Sequence, residues 1–452
     1  MNTIHLSFYG GAQEVTGSCY LLEAADKKIL IDCGLFQGYR FADEKNRKPF
    51  PFHAKEIDAL IVTHAHIDHI GRIPKLYKEG FRGIIYAMHA TANLMGVMLE
   101  DAYMLMKKES MYHKEDLLYE ESDLKKALQL VHPLEYYEKS NITDAVSFEL
   151  LNAGHILGSS FVRFEIGKKI IVFTGDVGSS SSVLLPPHDA VNDVNILIVE
   201  SAYGNRAHKH VGDKSLMLER AIEDIVRMKG VLMIPVFATE RTQDILFEIN
   251  SMLEFRRIPP VPVFLDSPLA IRVTEVFKQH PEFYLDDVKN LLKKHKHLFD
   301  FKHLTFTETK EESKKINDAP APKVILAGSG MMTGGRILHH ALRYLSDPSS
   351  ILLIVGWQAA GSLGRRLLDK AKEVKVRGSL VEVRAETRVI DGYSAHADAS
   401  ELKELIRGTQ DSHENVFVVQ GEQASAMSLA QEVKDYFGVW ASAPEFGEKY
   451  EL

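Results

Sequence analysis

The chain has 452 residues, which exceeds one ordinary hydrophobic core and predicts two or three domains. Apolar residues make up 45% and charged residues 26% of the sequence, as is typical of a soluble globular enzyme. The formal net charge of −8 disfavours a protein that coats nucleic acid without specificity, although a locally basic cleft could still bind it.

Three further features of the sequence bear on location. No apolar run approaches the ~20 residues that a bilayer-spanning helix needs. Residues 1–10 alternate in polarity and lack the basic and apolar regions of a secretory signal. The two cysteines, Cys19 and Cys33, provide no disulfide framework. We therefore expect a cytoplasmic protein with no membrane contact.

The first part of the chain is predicted to form short strands punctuated by glycine. The predicted strands are 4–8, 20–22, 29–32, 60–63, 146–151, 161–166 and 170–174. A helix predicted over 91–107 separates the early strands from the later ones. Runs of strands with helices outside them predict a two-sheet α/β sandwich.

Beyond residue 200 the pattern changes to a strict alternation of strand and helix. The predicted pairs are 231–237 with 241–253, 263–266 with 271–278, 324–327 with 334–345, and 351–355 with 363–371. This alternation predicts a parallel sheet covered by helices. A strand near 380–390 and a final pair of elements, 416–419 and 429–437, complete the pattern.

The segment His64-Ala65-His66-Ile67-Asp68-His69 carries the strongest chemical signal in the sequence. It follows a predicted strand directly, so its turn can direct several nitrogen and oxygen ligands at one point, as zinc prefers. The alternative is a solvated histidine-rich loop. That alternative is disfavoured because the pattern should arise by chance in on the order of one such chain in five hundred. We expect a metal site here.

Two more candidate ligands follow later strands. His155 lies in Gly-His-Ile-Leu-Gly-Ser after the strand 146–151, and Asp176 lies in Thr-Gly-Asp-Val-Gly after the strand 170–174. Taken singly, each segment is typical of turn chemistry at a strand end. In combination with the histidine segment, and in this order, they indicate a shared metal centre.

This order of motifs resembles that of the metallo-β-lactamase superfamily. The resemblance implies a hydrolase with two zinc ions, the first held by His64, His66 and His155, the second by Asp68 and His69, with Asp176 bridging both. Asp32, in Leu-Ile-Asp-Cys-Gly, is then expected to orient a ligand and water from outside the coordination sphere.

Later segments narrow the resemblance to the β-CASP ribonucleases and extend it over essentially the whole chain. Residues 200–206 look like the motif that opens the inserted β-CASP domain, and 392–398 look like its second signature. Three segments between them also match: 241–243, 266–268 and 328–332. The prokaryotic RNA-processing branch, and the endonuclease subunit of the polyadenylation complex, are the most similar in pattern.

The implied fold is a metallo-β-lactamase αββα sandwich with an inserted β-CASP domain, whose parallel sheet is flanked by helices. The implied boundaries are 1–205 for the first part of the sandwich, 206–378 for the β-CASP domain and 379–452 for the last part of the sandwich.

The implied activity is hydrolysis of RNA phosphodiester bonds by a metal-activated hydroxide, which leaves 5′-phosphate and 3′-hydroxyl ends. Asp68, Asp176, Glu200 and His396 are the candidate catalytic residues. His396, held by Glu200, is expected to donate a proton to the leaving 3′ oxygen. Internal cleavage and 5′-to-3′ exonuclease action both stay open. The expected partner is single-stranded RNA, and a homodimer is compatible with the sequence.

Candidate substrate contacts rest on weaker patterns. Ser329 and Gly330 precede a predicted helix, whose first backbone N–H groups could hold a phosphate. A plain tight turn is the alternative. Arg206, Arg241 and Arg336 each lie at the edge of a motif and are candidates for phosphate contacts. Surface arginines without a role are the alternative reading.

One position departs from the family pattern. Where the RNA-cleaving branch has a metal-binding histidine in a Val-His-Gly-Glu context, this chain has Gln420 in Val-Gln-Gly-Glu. Its amide oxygen is a poorer zinc ligand than imidazole. Natural variation, a weakened second metal site and an introduced substitution are the competing explanations. Gln420 also keeps open a DNA nuclease of the same family or a catalytically weakened RNA-binding relative. A small-molecule hydrolase is disfavoured by the long insertion after Glu200.

Overall fold

The computed structural model describes residues 3–38, 41–208, 211–295, 298–359, 361–409 and 412–452. The chain divides into two compact units. The first contains residues up to 180 together with 187–207 and 396–452, and the second contains 181–186 and 208–395. Most of the second unit is therefore one continuous insertion into the sequence of the first.

The first unit contains two β-sheets of seven strands each. In spatial order, one sheet consists of β22 (Lys449–Glu451), β1 (His5–Phe8), β2 (Tyr20–Ala24), β3 (Lys27–Ile31), β4 (Ala59–Val62), β5 (Ile84–Met88) and β6 (Val131–Leu134). The other consists of β21 (Trp440–Ser442), β20 (Asn415–Val419), β11 (Ile196–Glu200), β10 (Lys169–Phe173), β9 (Ser160–Ile166), β8 (Val146–Asn152) and β7 (Ser140–Thr143).

Helices of the first unit lie before, between and after these strands. They are α1 (Phe41–Arg47), α2 (Ile67–Ile70), α3 (Ile73–Lys78), α4 (His89–His113), α5 (Glu121–Leu128), α13 (Ala399–Thr409) and α14 (Gln423–Phe437). The predicted helix 91–107 is the central part of α4. The predicted element 429–437 is the last part of α14.

Alternation of side chains along β20 shows how the layers form. Successive residues of a strand point to opposite faces. Val416 and Val418 belong to the same buried cluster as residues of α13 and α14. Phe417 points the other way, and its ring lies 5.3 Å from that of Phe8 in β1 of the other sheet. The two sheets therefore face each other, while α4 packs against β5 and β6. The predicted αββα sandwich is confirmed.

The second unit has a six-stranded sheet in which every pair of neighbouring strands is parallel. In spatial order its strands are β14 (Leu304–Phe306), β13 (Val263–Asp266), β15 (Lys323–Ala327), β12 (Val231–Pro235), β16 (Ile351–Ile354) and β19 (Glu386–Val389). Its helices are α6 (Lys214–Met228), α7 (Arg241–Glu254), α8 (Pro268–Gln279), α9 (Asp286–His295), α10 (Lys310–Lys315), α11 (Ile337–Tyr344) and α12 (Leu363–Leu368). The predicted parallel sheet with covering helices is confirmed.

The single strand predicted near 380–390 is wrong. Two strands occupy this stretch, β18 (Ser379–Glu382) and β19, because β18 pairs antiparallel with β17 (Glu373–Val376) in a separate hairpin. The hairpin is closed by Arg377 and Gly378, which have φ angles of 50° and 89°. Positive φ at both central residues matches the twist of a two-residue hairpin turn, and this brings the chain back on itself.

Residues 379–395 lie with the second unit, whereas the sequence pattern assigned them to the last part of the sandwich. The reason is the parallel pairing of β19 with β16, which extends the six-stranded sheet by one strand. The predicted boundaries at 205/206 and 378/379 stay predictions, drawn from motif positions rather than from strand pairing. Among the described residues, no helix combines the length and apolar character needed to span a membrane.

Helix α7 carries a buried acidic face within the second unit. Asp244 and Glu248 are one turn apart, and their exposed fractions are 4% and 6%. Glu248 accepts a hydrogen bond of 2.7 Å from the Tyr393 hydroxyl. Burial raises the pKa of Asp244 to about 7; the nearby Lys214 ammonium opposes this shift, and the Glu248 carboxylate adds to it. The folded protein therefore holds a proton on Asp244 at pH values where the unfolded chain has released it.

We expect this proton to make the stability of the second unit depend on pH. Between the pKa of the unfolded chain, about 4, and that of the folded protein, about 7, the folded state binds more protons than the unfolded state. The free energy of unfolding therefore falls as pH rises through this range. Asp244→Asn cannot ionise and should remove the contribution of this residue. Relative to the variant, the wild type should lose on the order of 2 kcal/mol between pH 5 and pH 8. Thermal unfolding midpoints at the two pH values measure the difference.

Asp286→Asn is the matched control, because the Asp286 side chain is 93% exposed in the same unit. Its difference from wild type should not change between pH 5 and pH 8. The assignment is wrong if Asp244→Asn behaves like this control.

Candidate active site

The candidate residues of the first unit lie at the ends of strands that run in the same direction. Asp32 follows β3 and His64 comes shortly after β4, and these two strands are parallel neighbours. In the other sheet, β10, β11 and β20 are parallel neighbours, and β8 has the same direction because both β8 and β10 are antiparallel to β9. Carboxyl ends of such strands meet at one edge of a sheet. The residues at these ends are His155, Asp176, Glu200 and Gln420.

Four side chains, those of His64, His66, His155 and Asp176, form a compact group of ligand atoms. His64 Nε2 lies 3.1 Å from His66 Nδ1, which lies 3.2 Å from His155 Nε2. Asp176 Oδ2 completes the group at 3.4 Å from His64 Nε2 and 3.5 Å from His155 Nε2. His64, His155 and Asp176 are buried, with at most 2% exposure. We call this group the first metal position.

The spacing of the first metal position fits a zinc ion. Zinc in proteins has four ligands at roughly 2.0–2.2 Å in tetrahedral arrangement, so neighbouring ligand atoms are about 3.3–3.5 Å apart. Burial lowers the pKa of His64, His66 and His155, so their ring nitrogens are neutral and can donate lone pairs. Asp176 Oδ1 is buried and accepts no hydrogen bond among the described residues, which leaves it available to a cation.

Asp32 and Thr63 orient the ligands from outside. The Asp32 carboxylate accepts hydrogen bonds from the Thr63 backbone N–H and hydroxyl, each 2.8 Å, and from His69 Nδ1 at 2.6 Å. The Thr63 hydroxyl in turn accepts from His64 Nδ1 at 3.0 Å. With a proton on Nδ1, the Nε2 lone pair of His64 faces inward. Thr63 was not predicted from the sequence, although its place directly before His64 could have indicated it.

Asp68 and His69, the residues expected to bind a second metal ion, are arranged less favourably for coordination than the four ligands of the first metal position. His69 Nε2 lies 3.3 Å from Asp176 Oδ1 but 4.0 Å from Asp68 Oδ2. In the described part of the chain, Asp68 and His69 belong to no group of three ligand atoms within 4.8 Å of one another. Gln420 approaches both with its amide nitrogen, at 3.4 Å from Asp68 Oδ2 and 3.1 Å from His69 Nε2. A donor nitrogen cannot ligate zinc, so the second position does not fit an ion as it is built.

The charge of Asp176 influences its neighbours. Burial alone would raise the pKa of Asp176, but the His69 and His64 imidazoles hold it well below its usual range. Burial likewise acts against a charged His69, yet Asp176 and Asp32 raise the pKa of His69 well above its usual value. The Gln420 amide nitrogen opposes a proton on His69 Nε2, and a cation on Asp176 would weaken the carboxylate effect.

Glu200 and His396 form a second group beside Asp176. His396 Nδ1 lies 3.1 Å from Glu200 Oε1 and 3.9 Å from Asp176 Oδ2. Glu200 is fully buried and accepts backbone hydrogen bonds from Val177 at 2.6 Å and Ala202 at 3.2 Å. These bonds hold the carboxylate in place, so Glu200 fixes the orientation of the imidazole. The pairing of Glu200 with His396, proposed from motifs far apart in sequence, is present in the structure.

The three arginines predicted to contact the substrate differ in the groups that surround them. The Arg206 guanidinium lies over the Tyr203 ring at 4.7 Å, and Arg241 Nε donates to the Tyr393 carbonyl at 3.1 Å. Arg336 donates to Asp266 Oδ1 and to the Thr307 and Glu308 carbonyls, at 2.6 to 2.7 Å, which favours a structural role.

Ser329 and Gly330 lie in a turn before α11. The Ser329 hydroxyl accepts from the backbone N–H groups of Thr333 and Gly334, both at 3.2 Å. These bonds close the turn and engage the hydroxyl as an acceptor. Phosphate binding by this segment, and by the three arginines, stays a prediction.

Three family models match consecutive parts of the chain. The metallo-β-lactamase superfamily matches residues 12–229, the β-CASP domain 242–367, and the RNA specificity domain of zinc-dependent metallo-hydrolases 380–444. A ribonuclease of Thermus thermophilus is 36% identical over 440 residues, which are 97% of this chain and 98% of that protein. The chain belongs to the β-CASP family of the metallo-β-lactamase superfamily. The resemblance inferred from its motifs is confirmed.

Two other relatives match over 95% of this chain. An RNase J-like protein of Methanocaldococcus jannaschii is 32% identical over 95% of each chain. The transcription termination factor FttA of Methanosarcina mazei is 33% identical over 95% of this chain and 69% of its own. A crystal structure of an Enterococcus faecalis protein of unknown function has a TM-score of 0.55 with 12% identity and complete coverage of both chains, which supports the fold alone.

Thr63→Val tests whether the hydrogen bonds outside the first metal position control its affinity. The substitution keeps the shape but removes the hydroxyl that joins Asp32 to His64. We expect zinc affinity to fall by about 10–100-fold, because the imidazole loses its fixed tautomer. Competition with a chromophoric chelator measures the affinity.

Thr274→Val is the control for loss of a buried threonine hydroxyl. In the second unit, Thr274 donates to the Ala270 carbonyl at 2.7 Å and accepts from Gln243 at 2.9 Å. This variant should lose stability but keep its zinc affinity. Equal zinc affinity in the two variants would contradict the role given to Thr63.

Proposed function

We propose that this protein is a zinc-dependent ribonuclease that hydrolyses RNA phosphodiester bonds and leaves 5′-phosphate and 3′-hydroxyl ends. One observation carries the proposal. The ligand atoms of His64, His66, His155 and Asp176 are spaced to hold a zinc ion, and they lie beside the buried Glu200 carboxylate and its partner His396. Such an arrangement supplies both halves of a hydrolytic reaction, a metal position for the nucleophile and an acid for the leaving group.

Zinc at the first metal position would have four protein ligands, so it would need to accept a fifth ligand in order to lower the pKa of a water toward ~7. It would also neutralise charge on the phosphate. Its ligands are three neutral imidazoles and one carboxylate, so a net positive charge stays on the centre and favours an anionic substrate. Asp32 and Thr63 keep His64 in the tautomer that this centre requires.

His396 is proposed as the proton donor. Its Nδ1 faces Glu200, so Nε2 is the ring nitrogen that would deliver a proton to the departing 3′ oxygen. Glu200 stabilises the protonated imidazole and fixes its orientation through two backbone hydrogen bonds of its own. The Asp68 carboxylate, 19% exposed at its side chain, is the proposed acceptor for the proton of the attacking water. No step uses the RNA 2′-hydroxyl.

RNA is the proposed substrate because the family model over residues 380–444, which include His396, describes an RNA specificity domain. The names of the Thermus and Methanocaldococcus relatives, a ribonuclease and an RNase J-like protein, support the same substrate. Cleavage of DNA by the same machinery is the competing proposal. A cytoplasmic location, single-stranded RNA as the partner and a homodimer stay predictions from the sequence.

A cleavage assay on 5′-labelled RNA and DNA of one sequence tests the proposal. We expect the zinc-loaded protein to cut RNA in preference to DNA, to lose activity in EDTA and to regain it with zinc. A single 2′-O-methyl group at the scissile position should leave cleavage intact, because the 2′-oxygen is not the nucleophile. A 2′,3′-cyclic phosphate product, or activity indifferent to EDTA, would overturn the mechanism, and preferential cleavage of DNA would overturn the substrate.

His396→Gln and Glu200→Gln test the proton donor. Each should lower kcat by about 10²–10⁴-fold, the usual contribution of a positioned general acid, while the zinc content is unchanged. Substrates with a better leaving group should be affected less, since they need less protonation. His53→Gln, at an exposed histidine of the same unit, is the control and should keep full activity. Loss of zinc together with activity in His396→Gln would instead assign His396 to metal binding.

A further inference from the structure

Gln420 occupies a position where its side chain has little freedom. It follows β20 directly and is 2% exposed. Its backbone N–H donates to the Gly11 carbonyl at 2.6 Å, and its φ angle is +50°. A Cβ atom at Gly11 would lie 2.5 Å from Gln420 Oε1, so the glycine leaves the room that this side chain fills. The amide is therefore held on one side by the backbone of residues 11–15 and on the other by Asp68 and His69.

Its neighbours determine which end of the amide faces Asp68 and His69. The Nε2 atom lies 2.8 Å from the Val15 carbonyl oxygen, which can only accept a hydrogen bond. Asp68 Oδ2, at 3.4 Å, is likewise an acceptor. His69 Nε2 lies 3.1 Å from the same amide nitrogen. Rotation of the amide would set Oε1 against the Val15 carbonyl oxygen, so that two acceptors would face each other.

The amide nitrogen therefore contacts the atoms that a second metal ion would need. One N–H of the amide donates to the Val15 carbonyl, and the other is directed toward Asp68 Oδ2 and His69 Nε2, the atoms that would face a second ion. The amide oxygen faces Gly11 and is not directed at Asp68 or His69. The nitrogen and oxygen atoms of the four ligands of the first metal position face one another at 3.1 to 3.5 Å.

We propose that Gln420 closes the second metal position with its amide N–H groups, so that each chain holds one tightly bound zinc ion and not two. The proposal rests on the proposed function in assuming that the first metal position binds zinc. It replaces the two-zinc expectation from the family resemblance. In this proposal the Gln420 amide nitrogen, and not a metal ion, is the neighbour of the Asp68 carboxylate.

Counting zinc in three proteins tests the proposal. Purified wild type, dialysed against a chelator of intermediate strength, should retain one zinc per chain by elemental analysis. Gln420→His should retain two, since imidazole adds a ligand, and histidine is among the residues that tolerate positive φ. Gln420→Ala removes the amide without adding a ligand. Its second zinc should bind at least about tenfold more tightly than that of the wild type in chelator competition.

Gln423→His is the matched control, because Gln423 is exposed at the start of α14, three positions away. It should bind one zinc tightly, like the wild type. Circular dichroism establishes that each variant is folded before zinc is counted.

The possible results separate this inference from the proposed function. Two zinc ions of similar affinity in the wild type would overturn the inference and leave a zinc-dependent ribonuclease standing. Wild-type affinity for the second zinc in both folded Gln420 variants would also overturn it. A folded wild type that binds no zinc at all would overturn the proposed function itself, and this inference with it.

Discussion

A buried carboxylate with too few hydrogen-bond donors is the constraint on which the first unit depends. Asp176 is 2% exposed, and one of its oxygens accepts no hydrogen bond among the described residues. An isolated carboxylate in such a place would cost several kcal/mol, or it would take up a proton. Three imidazoles from two separate segments surround it instead. Their convergence lowers the pKa of Asp176 and defines a place for a cation.

Strand direction explains how these imidazoles reach Asp176. Loops at the carboxyl ends of parallel strands share one edge of a sheet, and a two-sheet sandwich brings two such edges together. β4 of one sheet supplies the histidine segment, and β8 and β10 of the other supply His155 and Asp176. Rigid strands thus hold the ligand atoms within tenths of an ångström of the spacing that zinc needs, while the loops provide the chemistry.

A single strand end can change the chemistry of such a centre without changing the fold. β20 occupies its place in the sheet between β11 and β21, as the sandwich requires. The residue that follows it, Gln420, carries a donor where the other strand ends carry acceptors. Since folding depends on the strand and metal binding depends on the residue after it, the two properties can vary independently.

Local patterns in the sequence were sufficient to predict the layers of the fold and the residue types that could bind a metal. Short β-branched runs followed by His64, His155 or Asp176 place each ligand at a strand end, and alternation beyond residue 200 predicts the parallel sheet. The strand predicted near 380–390 was wrong because a turn at Arg377 and Gly378 sends β18 to a partner that local periodicity cannot identify.

Only the tertiary structure decided the distances and the direction of each polar group. Thr63 acts through Asp32 and His64, and the contact of Gln420 with Val15 joins residues 405 positions apart. Sequence alone could say that the amide of Gln420 has an oxygen and a nitrogen. Which end faces Asp68 and His69 depends on a backbone carbonyl brought there by the fold, since hydrogen bonds act over a few ångströms in space and not along the chain.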